Sequence, residues 1–138
     1  MIAYLDSSVL LRIILGQKNA LKEWKTITKG IGSALVEIEC LRTLDRLRLV
    51  EGLDDREVAL RREAVFRILE AIDVIEPTRP ILERAAQPLP TTLGTLDAIH
   101  LATATLWRER TGTELVLATH DIALATAAKA SGFCVVGA

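Results

Sequence analysis

"ELVLATHDIALATAAKASGFCVV" (residues 114–136) reads as strand, helix, strand. Its first part, 114–119, is a near-continuous apolar run, as expected of a strand buried on both faces. Asp121 stands where a helix would begin, the alanine-rich stretch continues it, and Gly132 closes it before "FCVV" resumes as strand. Two strands joined through a helix form a parallel unit, so this stretch points to a parallel sheet with helices over it.

The same alternation runs back through the chain. "IAYL" (2–5) is a strand, followed by a helix through "SVLLRIIL" (8–15) that stops near Gly16. Lys18, Lys22, Lys25 and Lys29 recur at steps of four, three and four. That spacing predicts a lysine-striped helix with Leu21, Trp24 and Ile27 inward. Gly30 and Gly32 bracket a very short strand, and Ser33 can cap a helix over 34–50. The aspartates of "EGLDD" (51–55) can cap an amphipathic helix from about 56 to 71. "DVIEP" (73–77) is a strand stopped by proline. A short helix at about 79–87, a "PLP" loop and a helix from Thr95 to Arg110 complete the series. The fold class is α/β, a three-layer α/β/α sandwich with a mainly parallel central sheet, expected as a single domain over 1–138.

With 138 residues, half of them hydrophobic, the chain can bury a core without disulfides. Cys40 and Cys134 match no metal-binding pattern and read as small core residues in a reducing compartment. No apolar run approaches membrane-spanning length, and Asp6 breaks the first one at once, so a cytoplasmic protein is expected. The net charge of −1 announces no nucleic-acid partner. Arg42, Arg46 and Arg48, and then Arg56, Arg61, Arg62 and Arg67, crowd two stretches that read first as solvated helix faces. Together with the lysines they would suit a phosphate backbone.

Ligand sites in open parallel sheets lie beyond the carboxyl ends of the strands. Asp6 follows the first strand, Asp121 the fourth, and Asp97 falls in the first turn of its helix. Each of these aspartates, taken singly, suits a helix cap. Glu39 lies within a helix and cannot cap, with Glu37 two residues away as the alternative. Three or four carboxylates on one rim repel one another unless a cation compensates. Oxygen ligands of this kind suit Mg²⁺ or Mn²⁺, which assist phosphodiester hydrolysis.

Four blocks, "YLDSSVLLR" (4–12), "GSALVEIECLRTLDR" (32–46), "TLDAIHLATA" (95–104) and "LATHDIALATAAKASGFCVV" (117–136), together resemble the PIN domain. The resemblance is specifically to the VapC toxins of bacterial type II toxin–antitoxin pairs. It implies an acidic quartet of Asp6, Glu39, Asp97 and Asp121, with Glu39 preferred to Glu37 because "ECLRTL" aligns there. It further implies Mg²⁺-dependent endoribonuclease activity, with Asp6 and Asp97 as direct metal ligands and Glu39 and Asp121 completing the site. Ser8 and Thr119 correspond to hydroxyl residues beside the family's acids, where they would hydrogen-bond a carboxylate or simply cap. A VapB-like antitoxin and homodimerisation are implied as well. His120 and Gly94 depart from the family pattern without removing a carboxylate.

His100, three residues after Asp97, reads as a partly buried histidine bonded within the helix layer. His120 would sit at the rim, within reach of RNA. Trp24 and Trp107 read as core or interface. A phosphatase of the haloacid dehalogenase type needs a second aspartate where Ser8 stands. A phospho-receiver needs a phosphorylatable aspartate after the third strand and a late lysine in place. A PIN-like binding module without catalysis is the remaining alternative. Single-stranded or loop RNA is the expected substrate, and the helices of 34–71 are expected to clamp an antitoxin peptide.

Overall fold

A computed structural model describes residues 1–138. Five strands are ordered β3-β2-β1-β4-β5, every neighbouring pair parallel: β1 (Ile2–Leu5), β2 (Lys29–Ser33), β3 (Asp73–Ile75), β4 (Val116–Ala118) and β5 (Cys134–Val136). Six α-helices accompany them: α1 (Ser7–Ile14), α2 (Leu35–Glu51), α3 (Asp55–Ala71), α4 (Arg79–Ala85), α5 (Thr95–Thr111) and α6 (Ile122–Ala130). The three-layer parallel sandwich expected from the alternation is the observed fold.

The period-two geometry of β1 divides the core. Ala3 and Leu5 point to one side, into a cluster with Val9, Leu10, Ile14, Val36, Cys40, Leu44 and Val65 from α1, α2 and α3. Tyr4 points to the other, among Leu101, Ala104, Leu117, Leu124 and Ala128 from α5, β4 and α6. Gly30 lets β2 and its neighbours close up: a Cβ there would lie 2.8 Å from both Ile72 Cγ2 and Leu5 Cδ1.

Three expectations fail, each for a physical reason. The lysine-striped helix is absent; only a five-residue 3-10 turn, Lys22–Thr26, forms between α1 and β2. The chain must extend again to enter β2, whose first residue is Lys29, paired with Asp73 at 3.2 Å. Four lysines at helical spacing therefore share no helical face. Cys134 is exposed, whereas Cys40 is buried. Cys134 lies on β5, and the edge strands β3 and β5 are open on one side rather than buried on both. The capping role open to Ser8 is also unfilled, since no side chain caps α1. Ser33 does accept a hydrogen bond from the Leu35 N–H at 3.1 Å, and Asp54 caps α3 through the Glu57 N–H at 2.8 Å. Trp24 and Trp107 pack against the two core clusters. No helix is long and apolar enough to cross a membrane.

Candidate active site

The chain leaves β1 toward β2 and β3 on one side, then crosses to β4 and β5 on the other. The carboxyl ends of β1 and β4 therefore flank the point where the strand order reverses, which is where open parallel sheets form crevices. Asp6 follows β1 directly and Thr119 follows β4 directly. The two meet: the Thr119 hydroxyl donates to Asp6 Oδ2 at 2.8 Å, and the Ser8 hydroxyl donates to the same oxygen at 2.7 Å. Asp6 is 97% buried by neighbours, at 3% exposure, and its side chain makes no cap bond to α1. Two hydroxyls aimed at one oxygen fix the carboxylate and leave Oδ1 turned the other way.

Asp121 behaves differently. Its Oδ1 accepts the Leu124 N–H at 2.8 Å and caps α6, while its own N–H donates to Thr119 Oγ1 at 3.0 Å. Thr119 thus ties Asp6 and Asp121 together. Asp97, in the first turn of α5, is half-buried and makes no hydrogen bond through its carboxyl group. Its acidity is pushed down: burial first, then the charges of Asp121 and Asp6, raise its pKa from 3.8 to about 6, with Glu39 adding and His100 opposing. These four acids share one electrostatic neighbourhood.

Glu39 projects from α2 into the same crevice, whereas Glu37 is exposed to solvent. Glu39 Oε2 accepts the Ser7 hydroxyl at 3.2 Å, and Oε1 takes a 2.6 Å bond from His100 Nε2. His100 is fully buried, with Nδ1 2.7 Å from the Tyr4 hydroxyl and Nε2 3.8 Å from Asp6 Oδ1. An ionised carboxylate only accepts, so Nε2 carries a proton, and in neutral imidazole Nδ1 accepts from the phenol. Burial pulls the His100 pKa down, but the Glu39 bond and the Asp6, Glu39 and Asp97 charges outweigh it and leave the pKa raised. Burial, with the Asp6 charge behind it, holds the Tyr4 phenol protonated well above its usual range. The sequence reading of a partly buried His100 bonded within the helix layer is overturned: the residue is fully buried and bonds to Tyr4 on β1 and Glu39 on α2, inside the acidic site. The available signal was its three-residue step from Asp97, which puts both on one face of α5.

No three His, Cys, Asp or Glu side chains already form a metal cage. One oxygen each of Asp6 and Asp121, and both oxygens of Glu39, are held by hydroxyls, imidazole or a helix N–H. What remains is the free carboxyl of Asp97, Oδ1 of Asp6 and Oδ2 of Asp121. An all-oxygen donor set facing shared negative charge fits a hard divalent cation.

The sequence matches the PIN domain family over residues 3–130, and the chain belongs to that family. Ribonuclease VapC46 of Mycobacterium tuberculosis (strain ATCC 25618 / H37Rv) is 36% identical over 137 residues, an alignment covering 96% of this chain and 95% of that protein. Ribonuclease VapC47 of M. tuberculosis (strain CDC 1551 / Oshkosh) is 29% identical over 133 residues, covering 94% and 92%. Among solved structures, a toxin–antitoxin complex from Klebsiella pneumoniae superposes with a TM-score of 0.64 at 21% identity, covering 86% of each chain. VapBC2 from Rickettsia felis, bound to a DNA fragment from the promoter, gives 0.68 at 11% identity, covering 98% and 97%. The likenesses to these two structures show the fold. The family read from the four sequence blocks is borne out.

Proposed function

We propose that this chain is a metal-dependent endoribonuclease and the toxin of a toxin–antitoxin pair. The observation that carries the reading is the gathering of Asp6, Glu39, Asp97 and Asp121 at the strand-order reversal, in a chain 36% identical to a ribonuclease across nearly its whole length. Asp6 and Asp97 would hold Mg²⁺ or Mn²⁺ directly, with Asp121 and Glu39 completing the site. When bound, the cation supplies a more acidic water and neutralises charge on a phosphoryl oxygen. Ser8 and Thr119 fix the plane of the Asp6 carboxylate, so its free oxygen faces the crevice. His100, braced by Tyr4, fixes Glu39 in the same way. Orientation of a ligand by a second partner changes metal affinity by about 10–100-fold in such sites.

The proposed antitoxin seat is a groove of about 510 Å³ between α1, α2 and α3, walled by Leu11, Leu15, Leu47 and Leu53 with Arg12 and Arg61. Arg61 is locked by Glu57 at 2.9 Å and by the Ile14 carbonyl at 2.7 Å, so the groove wall is preformed. A channel with leucines along it, and with both cations (Arg12, Arg61) and acids (Glu51, Glu57) on its walls, suits an amphipathic segment of a VapB-like chain. Both solved structures named above are toxin–antitoxin assemblies, which supports this partner. A mapped complex that leaves the groove open would refute the seat. Pairing of two copies belongs to the same proposal and is read by sedimentation of the isolated chain.

Incubation of the purified protein with total RNA tests the activity. Discrete fragments with Mg²⁺ and intact RNA in EDTA are expected. Intact RNA under both conditions would leave a binding module without catalysis.

A further inference from the structure

Two successive backbone N–H groups stand behind the Asp6 carboxylate. The His120 N–H donates to Ser8 Oγ at 2.9 Å, and the Asp121 N–H donates to Thr119 Oγ1 at 3.0 Å. A hydroxyl that accepts in this way still has its own proton to give. Both protons go to one atom, Asp6 Oδ2, at 2.7 Å from Ser8 and 2.8 Å from Thr119. The turn 119–121 therefore aims the hydroxyls, and the hydroxyls aim the carboxylate. Whatever holds the turn decides how well Asp6 is aimed.

The hold comes from the end of β5. The Thr119 N–H donates to the Val136 carbonyl at 3.1 Å, one residue past the last paired position of β4, Ala118. Gly137 follows, with a φ of +97° that L side chains rarely adopt. A Cβ there would lie 2.5 Å from the Thr119 carbonyl oxygen, so only glycine permits this approach. His120 Nδ1 lies 2.9 Å from the Gly137 carbonyl, which can only accept, so Nδ1 carries a proton and donates it. The other ring nitrogen, Nε2, is buried and has no partner. The sequence reading set His120 within reach of RNA, but neither ring nitrogen is open to a substrate.

We infer that His120 and Gly137 are positioning residues for the cation site. The bond from the His120 ring to the Gly137 carbonyl clamps the 119–121 turn to the end of β5. Three hydrogen bonds in series then run from Gly137 through His120 and Ser8 to Asp6. Neither residue touches the cation or the RNA. The inference rests on the reading of Asp6 as a cation ligand, and it gives a role to the histidine at which the chain departs from the family pattern.

The variants His120→Leu and His120→Asn test it together. Leucine fills space without a donor, whereas asparagine presents an N–H near the place of Nδ1 and nothing at Nε2. In metal-free protein, amide hydrogen exchange at His120 and Asp121 should quicken roughly fivefold in His120→Leu, the worth of one hydrogen bond, and stay near wild type in His120→Asn. Mn²⁺ affinity should fall roughly tenfold in His120→Leu, the lower end of the effect of groups that orient a metal ligand, and be restored in His120→Asn. Cleavage at limiting Mn²⁺ should follow the affinity, with KM for RNA unchanged. Gly137→Ala, which breaks the clamp at its other end, should weaken Mn²⁺ at least as much. Equal exchange and Mn²⁺ affinity in wild type and both histidine variants would overturn the clamp. So would equal losses in His120→Leu and His120→Asn, or a raised KM for RNA with Mn²⁺ affinity unchanged, the mark of a substrate contact. Weakened Mn²⁺ binding in His120→Leu that His120→Asn restores, in a protein whose wild type leaves RNA intact, counts against the ribonuclease reading alone and upholds the clamp. Wild-type protein that binds no Mn²⁺ would remove the cation reading of Asp6 and this inference with it.

Discussion

Asp6 and Asp121 occupy equivalent places in the chain: each comes shortly after a parallel strand and immediately before a helix. Their backbones are both extended, at φ −77°, ψ 154° and φ −84°, ψ 121°. Yet Asp121 caps its helix and Asp6 does not cap at all. The difference lies in what surrounds them. Asp6 sits between the Ser8 and Thr119 hydroxyls, which compete successfully for the oxygen that would otherwise take a helix N–H. Asp121 has no such pair and turns one oxygen to Leu124. A carboxylate at a helix start thus becomes a cap or a site residue according to hydroxyls brought by the neighbouring strand, a choice made by tertiary structure.

The largest expected effect separates the two acids by activity. Asp6→Asn should lower RNA cleavage by about 10³-fold, since a ligand's charge is lost where several kcal/mol of charge stabilisation is required. Its melting temperature should hold or rise, because one of several mutually repelling carboxylates is gone. Asp121→Asn retains the cap and should lose less activity, within about 10–100-fold. Equal losses would break the comparison. Next, Thr119→Val removes a donor from a buried carboxylate. Denaturant unfolding should register about 1–3 kcal/mol of destabilisation, with a parallel fall in cation affinity.

Smaller again is Asp121→Ala, expected to lower stability by about 1 kcal/mol through the lost cap. Asp121→Asn, which keeps a capping oxygen, should retain that stability, and an equal loss in Asp121→Asn and Asp121→Ala would contradict the cap assignment. The last prediction concerns pH. Asp97 has a raised carboxyl pKa of about 6 in the metal-free fold. A raised acid stabilises the fold at low pH, and that contribution is lost as pH rises through about 6. Mg²⁺ should therefore raise the melting temperature more at pH 7.5, where Asp97 is ionised, than at pH 5. A larger shift at pH 5 would reverse the sign and sink the account of Asp97.

Apolar periodicity was sufficient for the sheet because burial on both faces writes itself into runs such as "LVLA" (115–118). The acids could be located for a related reason: strand ends in a parallel sheet converge on one rim. Glu39 was separable from Glu37 only by resemblance, and the structure's burial agrees, with Glu37 left in solvent. Lysine spacing misled, because exposed charges at steps of three and four say nothing about whether the chain has room to be helical. Cys134 misled because an apolar strand sequence does not reveal that it will lie at a sheet edge. The three-residue step from Asp97 hinted at His100, but its partners could not be read from it. Its partners Tyr4 and Glu39 are 96 and 61 residues away along the chain, and only packing brings them together.

The claim that Asp6 is held free for a cation, while Asp121 also serves its helix, can be tested by titrating Mn²⁺ and following the free-ion electron paramagnetic resonance signal. Wild-type protein should deplete the signal, Asp121→Asn should do so more weakly, and Asp6→Asn should leave it almost untouched. Depletion by Asp6→Asn equal to that of the wild type would contradict the claim.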